Sequence, residues 1–222
     1  MGIIMRLLHI VMQGGWLMVF ILLASLIAAY IIVNRYIVIR RSKLNVPVFL
    51  VKLRGMLKRN DISSATAYCM EERSPAANII RKGLKKYKFG RERVKEAIDS
   101  AGTQEVFKLE KGLSVLATIS GVAPLLGFLG TVTGMIRVFM KIQNMQGSAN
   151  PSDLAGGIWE ALLTTAFGLA VGIVALTFYN YLVSAIKKLV IDMEVVSNDV
   201  VDVMEELDSA SREKENEVEL EL

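Results

Sequence analysis

Between Asp153 and Lys187 lie thirty-three residues in which Glu160 is the only acidic or basic side chain. A helix of that length runs about 50 Å at 1.5 Å per residue, against a bilayer hydrocarbon core of about 30 Å. Such a run can cross a membrane and project beyond it. A carboxylate inside it is costly to place in lipid, which makes it a candidate functional group. Glu160, Thr164, Gly168 and Gly172 recur every fourth residue and form one stripe, with Gly157, Ala161 and Thr165 beside it. Small residues let membrane helices approach closely, and hydroxyls there hydrogen-bond across the contact. The stripe is therefore expected to face protein or water, and Leu162, Phe167, Leu169, Leu176 and Phe178 to face lipid or apolar neighbours.

Two more uncharged runs, twenty residues at 14–33 and twenty-five at 112–136, bring the expected number of spans to three. The composition agrees: 53% of the 222 residues are hydrophobic and the mean hydropathy is +0.43. The first run is followed by Asn34, Arg35 and a basic cluster without a small-residue cleavage site, so it reads as a retained anchor. The expected fold class is an all-α membrane protein, with three transmembrane helices, long helical cytoplasmic extensions and a small cytoplasmic helical bundle. In chain order this gives an amphipathic segment at 1–13, spans at 14–34, 112–140 and 154–186, a cytoplasmic domain at 35–111, an outer loop at 141–153, and a helical extension with an acidic tail at 187–222.

Charge orients these segments. From Arg35 to Lys111 there are 19 Lys and Arg against 8 Asp and Glu; from Lys187 onward there are 4 against 12. Basic residues flanking spans stay inside, which places 35–111 and the C-terminus in the cytoplasm, and the N-terminus and the 141–153 loop outside. The basic excess follows this topology rule and lacks an aromatic–basic recognition motif, so no nucleic-acid partner is expected; membrane lipid is. Cys69 is the lone cysteine, which rules out an intrachain disulfide, and His9 stands alone, so neither a metal site nor a cofactor is expected.

Along the chain, Asn45-Val46-Pro47 opens a helix, Asn60-Asp61 breaks it and caps a second over 61–72, and Ser74-Pro75 opens a third reaching about Tyr87. A periodic stretch from Arg91 is expected to run directly into the second span. Pro124 should bend or loosen that span, while Gly127, Gly130 and Gly134 offer a packing surface around Thr131. Ser152 or Asp153 is expected to cap the third span. Beyond Lys187, apolar residues from Leu189 to Leu207 keep helical spacing, and from Ser209 an acidic, mobile tail is expected.

No metalloprotease, nucleophile-elbow or phosphate-loop motif is present, so no enzyme activity is expected. Polar function concentrates on Glu160, Thr131, Thr164 and Thr165. A carboxylate walled by low dielectric has its charged form disfavoured and can exchange a proton. It can equally draw cations to a pore, or simply pair with Arg137 or Lys141 near the headgroups. One chain with one such carboxylate does not line a pathway, so self-association or a partner span is implied.

Residues 123–135 (APLLGFLGTVTGM) and 154–169 (LAGGIWEALLTTAFGL) resemble the second- and third-span signatures of the MotA/TolQ/ExbB proton-channel family. Tyr179-Asn180, Ser74-Pro75 and Gly83-Leu84 fit as well, and the likeness runs from Gln13 to about Leu207. Three spans with an outside N-terminus resemble the ExbB and TolQ branch. The resemblance implies a homopentamer around paired helices of an ExbD- or TolR-like single-span protein carrying a membrane aspartate. Such a complex would use proton-motive force to drive a TonB- or TolA-like periplasm-spanning protein. By motif position, Thr131, Glu160 and Thr165 match lumen-facing residues, with Thr164 adjacent. Where the family often has a proline late in the third span this chain has Val174, which implies a straighter helix.

Overall fold

The computed structural model describes residues 15–144 and 151–220, and not the side chains of 151–153, 208 and 210–220. The amphipathic segment expected at 1–13, with His9, and the middle of the 141–153 loop lie outside the described residues. Among the described residues seven α-helices follow one another: α1 Gly15–Arg41, α2 Val46–Lys58, α3 Ile62–Glu71, α4 Pro75–Leu84, α5 Arg91–Glu110, α6 Leu113–Asn144 and α7 Pro151–Leu220, with a 3₁₀ turn at Tyr87–Phe89 between α4 and α5. There is no strand among the described residues. Three helical stretches, within α1, α6 and α7, are long and apolar enough to cross a membrane. The protein is an all-α membrane protein.

Two compact units divide the chain. One comprises residues 1–34 and 112–182, the other 35–111 and 183–222. In the first, α1 buries Leu17, Met18, Ile21, Ala28 and Ile31 and leaves Phe20, Leu23, Leu26 and Tyr30 exposed. Leu125, Phe128 and Phe139 of α6 and Leu162, Leu169, Leu176 and Phe178 of α7 are exposed likewise, and Phe167 is half-buried. An apolar surface of this extent is the normal outside of a membrane domain.

The second unit is built on side-chain caps. Asn45 accepts from Val48 N, Asp61 Oδ1 from Ser64 N at 3.0 Å, and Ser74 Oγ from Ala77 N at 3.2 Å, each supplying one of the acceptors a helix start lacks. The bonds from Ser64 hold the Asp61 carboxyl below its usual range. Phe49, Leu53 and Leu57 of α2 lie one turn apart and fully buried, with the Phe49 ring stacked on Tyr68 at 5.4 Å. Val94 and Ile98 of α5 press on Gly83 of α4. From α7, Leu189, Met193, Val196, Val200, Val203 and Met204 enter this core. Ion pairs flank them: Arg54 with Asp199, Arg91 with Glu205 at 2.6 Å, and Lys58 with Glu206 at 3.8 Å.

Four local expectations need correction. The stretch from Arg91 does not run unbroken into the second span, because α5 ends at Glu110 and Gly112 takes φ +85°, a left-handed conformation that costs glycine little. Helix α4 stops at Leu84, and the 3₁₀ turn covers the distance to Gly90. Helix α7 starts at Pro151, so neither Ser152 nor Asp153 precedes it; proline is pre-organised for a first helical position and gives up no needed N–H there. Finally, α7 stays helical to Leu220, past the point at which a tail was expected to begin. Residues 209–220 contain no Pro or Gly, and their four Glu, with Ala210, Arg212, Lys214 and Leu220, are residues that favour helix.

Candidate functional site

Helices α6 and α7 meet along a seam of small residues. Along it the buried positions are Ala123, Gly127, Gly130, Gly134 and Val138 on α6 and Ala161, Thr164, Gly168, Gly172 and Ala175 on α7. The two runs pair antiparallel. A methyl placed on Gly168 would lie 2.6 Å from the Ala123 carbonyl oxygen and 2.9 Å from Gly127 Cα, so at this crossing backbone touches backbone. One on Gly134 would lie 2.7 Å from the Ala161 methyl, one on Gly130 would overlap the Thr164 hydroxyl, and one on Gly157 would overlap Val138. Gly172 leaves room for the Pro124 ring and faces the Ser120 carbonyl, the group whose helical N–H partner a proline at 124 removes.

Two hydroxyls bridge the seam where the backbones are closest. Thr165 Oγ1 donates to the Gly127 carbonyl at 2.8 Å, Thr131 Oγ1 donates to the Phe128 carbonyl at 2.8 Å, and the two hydroxyl oxygens are 3.0 Å apart. Each hydroxyl carries one proton, so two protons serve three contacts. Either threonine can turn its proton to the other and release its carbonyl, and the pair has more than one hydrogen-bonding arrangement at nearly fixed heavy-atom positions. Both residues are half-buried. Thr164 sits differently: it is 2% exposed, packed on Gly130, and donates to the Ala161 carbonyl of its own helix at 2.8 Å. Within this subunit Thr164 is a seam residue, and Thr131 and Thr165 carry the reachable hydroxyls.

Glu160 lies five residues before Thr165, about 7.5 Å along the helix. Its carboxylate pairs with Arg137 of α6, Nη1 to Oε1 at 2.9 Å, with side chains 30% and 51% exposed respectively. Pairing with Arg137 was one of the alternatives open from sequence. The start of α1 closes the third side: a side chain at Gly15 would overlap the Glu160 carboxylate, and Gly15 also has φ +69°. That neighbour, 145 positions away in the chain, was not legible in the sequence.

Three membrane-capable helices, a glycine seam between two of them, and hydroxyl and carboxylate groups set along it define a membrane protein whose spans pack through small residues. Residues 71–195, more than half of the chain, match the MotA/TolQ/ExbB proton channel family, and the chain belongs to that family. It is similar to an ExbB homolog of Methanothermobacter thermautotrophicus, 28% identical over 155 residues covering 70% of this chain and 54% of that one. It is also similar to biopolymer transport protein ExbB of Xanthomonas campestris, 36% over 109 residues and 49% and 43% of the two chains. With ExbB of Neisseria meningitidis it shares 27% over 196 residues, 82% and 87% of the two chains. The match thus spans about half the length of the first two relatives and most of the third. The solved structure of C. jejuni MotAB shares the fold, with a TM-score of 0.61 over 80% of this chain and 69% of that one, at 16% identity.

Proposed function

We propose that this chain is the channel-forming subunit of an ExbB-type, proton-driven motor in a bacterial inner (cytoplasmic) membrane. In this reading five copies surround paired helices of an ExbD- or TolR-like protein, whose membrane aspartate takes up and releases protons. The work passes to a TonB-type periplasm-spanning protein for outer-membrane nutrient import. Residues 1–13 and 141–153 are periplasmic and 35–111 and 187–222 cytoplasmic, the side that the basic excess of 35–111 favours. The observation that carries the proposal is the Thr131–Thr165 pair, 3.0 Å apart on the seam. Hydroxyls that both donate and accept can hand a proton to or from a neighbouring carboxylate, and a pair with two protons for three contacts can rearrange without moving its helices. Glu160, held by Arg137, sets the charge at one end of the same seam.

The experiment is reconstitution of the chain with its single-span partner. Glu160→Ala and Thr165→Val are each expected to abolish work driven by proton-motive force while the oligomer stays assembled. The Arg137–Glu160 pair favours a second reading, a non-conducting scaffold in which Glu160 only ties two helices together; full activity of Glu160→Ala would establish it. Proton flux through the purified subunit alone would mark an autonomous channel. A TolQ-type role in envelope maintenance uses the same parts, and a deletion strain that leaks periplasmic protein yet imports nutrients normally would assign it.

A further inference from the structure

The second unit holds a pocket of about 420 Å³ that the motor reading leaves unused. Its walls come from the end of α1 (Val38) and Ser42 just beyond it, from α3, from the start of α4, and from α5. Five lining side chains are charged: Arg73, Arg81, Lys108, Glu72 and Glu105. Glu105 is already neutralised, because its Oε1 accepts from Lys108 Nζ at 2.8 Å and from Asn78 Nδ2 at 2.6 Å. Arg81 Nη2 donates to Asn78 Oδ1 at 2.7 Å, which fixes the plane of its guanidinium and leaves its other N–H groups over. No carboxylate among the described residues pairs with Arg73 or Arg81, so two guanidiniums remain against the single carboxylate of Glu72. Guanidinium is the side chain best matched to a phosphate, since its planar fork meets two oxygens at once.

Position indicates where the phosphate comes from. Val38 follows Val33, the last residue of the first uncharged run, by five residues of the same helix, about 7.5 Å. Headgroup layers occupy roughly 5–8 Å on each side of the hydrocarbon. We propose that this pocket binds a phosphate-bearing anion, and that its natural source is the headgroup of an acidic phospholipid in the adjoining leaflet. The pocket's apolar walls, Val38, Met70 and Leu109, then take the glycerol and the first methylenes. This proposal needs a membrane protein but not the motor, so it stands or falls independently of the function proposed above.

The test uses the purified full-length chain in mild detergent, titrated with phosphatidylglycerol, with phosphatidylcholine of the same acyl chains, and with inorganic phosphate, and read by native mass spectrometry. Phosphatidylglycerol is expected to bind more tightly than phosphatidylcholine, and Arg81→Gln and Arg73→Gln each to weaken it by about tenfold, the loss typical of one charged hydrogen bond. Arg73 is exposed, so its variant tests the site even if Arg81→Gln fails to fold. Displacement of the lipid by inorganic phosphate at millimolar concentration, with the same sensitivity to both arginines, would keep the phosphate site and make a soluble phosphate its ligand. Equal binding of the two lipids, or indifference to both substitutions, overturns the proposal.

Discussion

The closest approach between α6 and α7 makes Gly168→Ala the most demanding test of the seam. The new methyl would stand 2.6 Å from the Ala123 oxygen, 2.9 Å from Gly127 Cα and 3.0 Å from Gly127 N, all backbone atoms that no rotamer change can move. Ordinary contact needs about 3.5–4.0 Å, so the helices must part by roughly 0.5–1 Å. A gap of that size forfeits a quarter to a half of each dispersion contact facing it. It also stretches the Thr165–Gly127 bond from 2.8 Å toward the limit of a hydrogen bond, and such bonds in membranes contribute about 0.6 kcal/mol on average. Overpacking of this kind costs about 1–3 kcal/mol in total. That is a factor of roughly 5 to 150 in the folding equilibrium. The matched control is Gly121→Ala in α6, where a methyl meets nothing within 4 Å and helix propensity alone predicts a gain of up to about 1 kcal/mol. Thermal unfolding in detergent, followed by tryptophan fluorescence, should lower the midpoint for Gly168→Ala and leave it level or raised for Gly121→Ala. Equal midpoints for the two variants would refute the backbone-contact account of the seam.

Further outcomes follow from other contacts. Thr131→Val keeps the volume and removes one of the two bridging protons; it should cost no more than about 1–2 kcal/mol yet abolish coupled activity, while Thr131→Ser retains activity, both read in the reconstituted complex. Burial pushes the Cys69 thiol up to about 12, so a thiol reagent at pH 8 should leave the native protein unmodified and label it only after denaturation. Because that thiol is raised above its unfolded value near 9, the stability it contributes is complete below pH 9 and is lost as pH climbs toward 12; a pH-dependent melting series checks the window. Arg54→Glu should lower the melting temperature, since Asp199 is only 11% exposed and would face a like charge, and adding Asp199→Arg should restore most of the loss.

Much of the protein can be read from one-dimensional patterns. Uncharged runs around Trp16, Gly127 and Leu169 are dictated by the thickness of a bilayer, and the caps at Asn45, Asp61 and Ser74 are local events within four residues. Leu189 to Met204 announced a buried face through spacings of three and four. The breaks were harder to place. Gly112 terminates a helix only because the backbone there turns left-handed, and that is a property of what surrounds it rather than of glycine as such.

The chain by itself determined the number of spans, the small-residue faces of α6 and α7, and the isolation of Glu160 within an apolar run, because length, charge and periodicity need no partner to act. Tertiary structure alone decided the pairings. Antiparallel packing brings Thr165 to Gly127 and Thr131, buries Thr164 on Gly130, and joins Glu160 to Arg137 beside Gly15. Residues 23 to 38 positions apart become neighbours only when two helices settle into one register, and that register is set by where glycine allows backbones to touch.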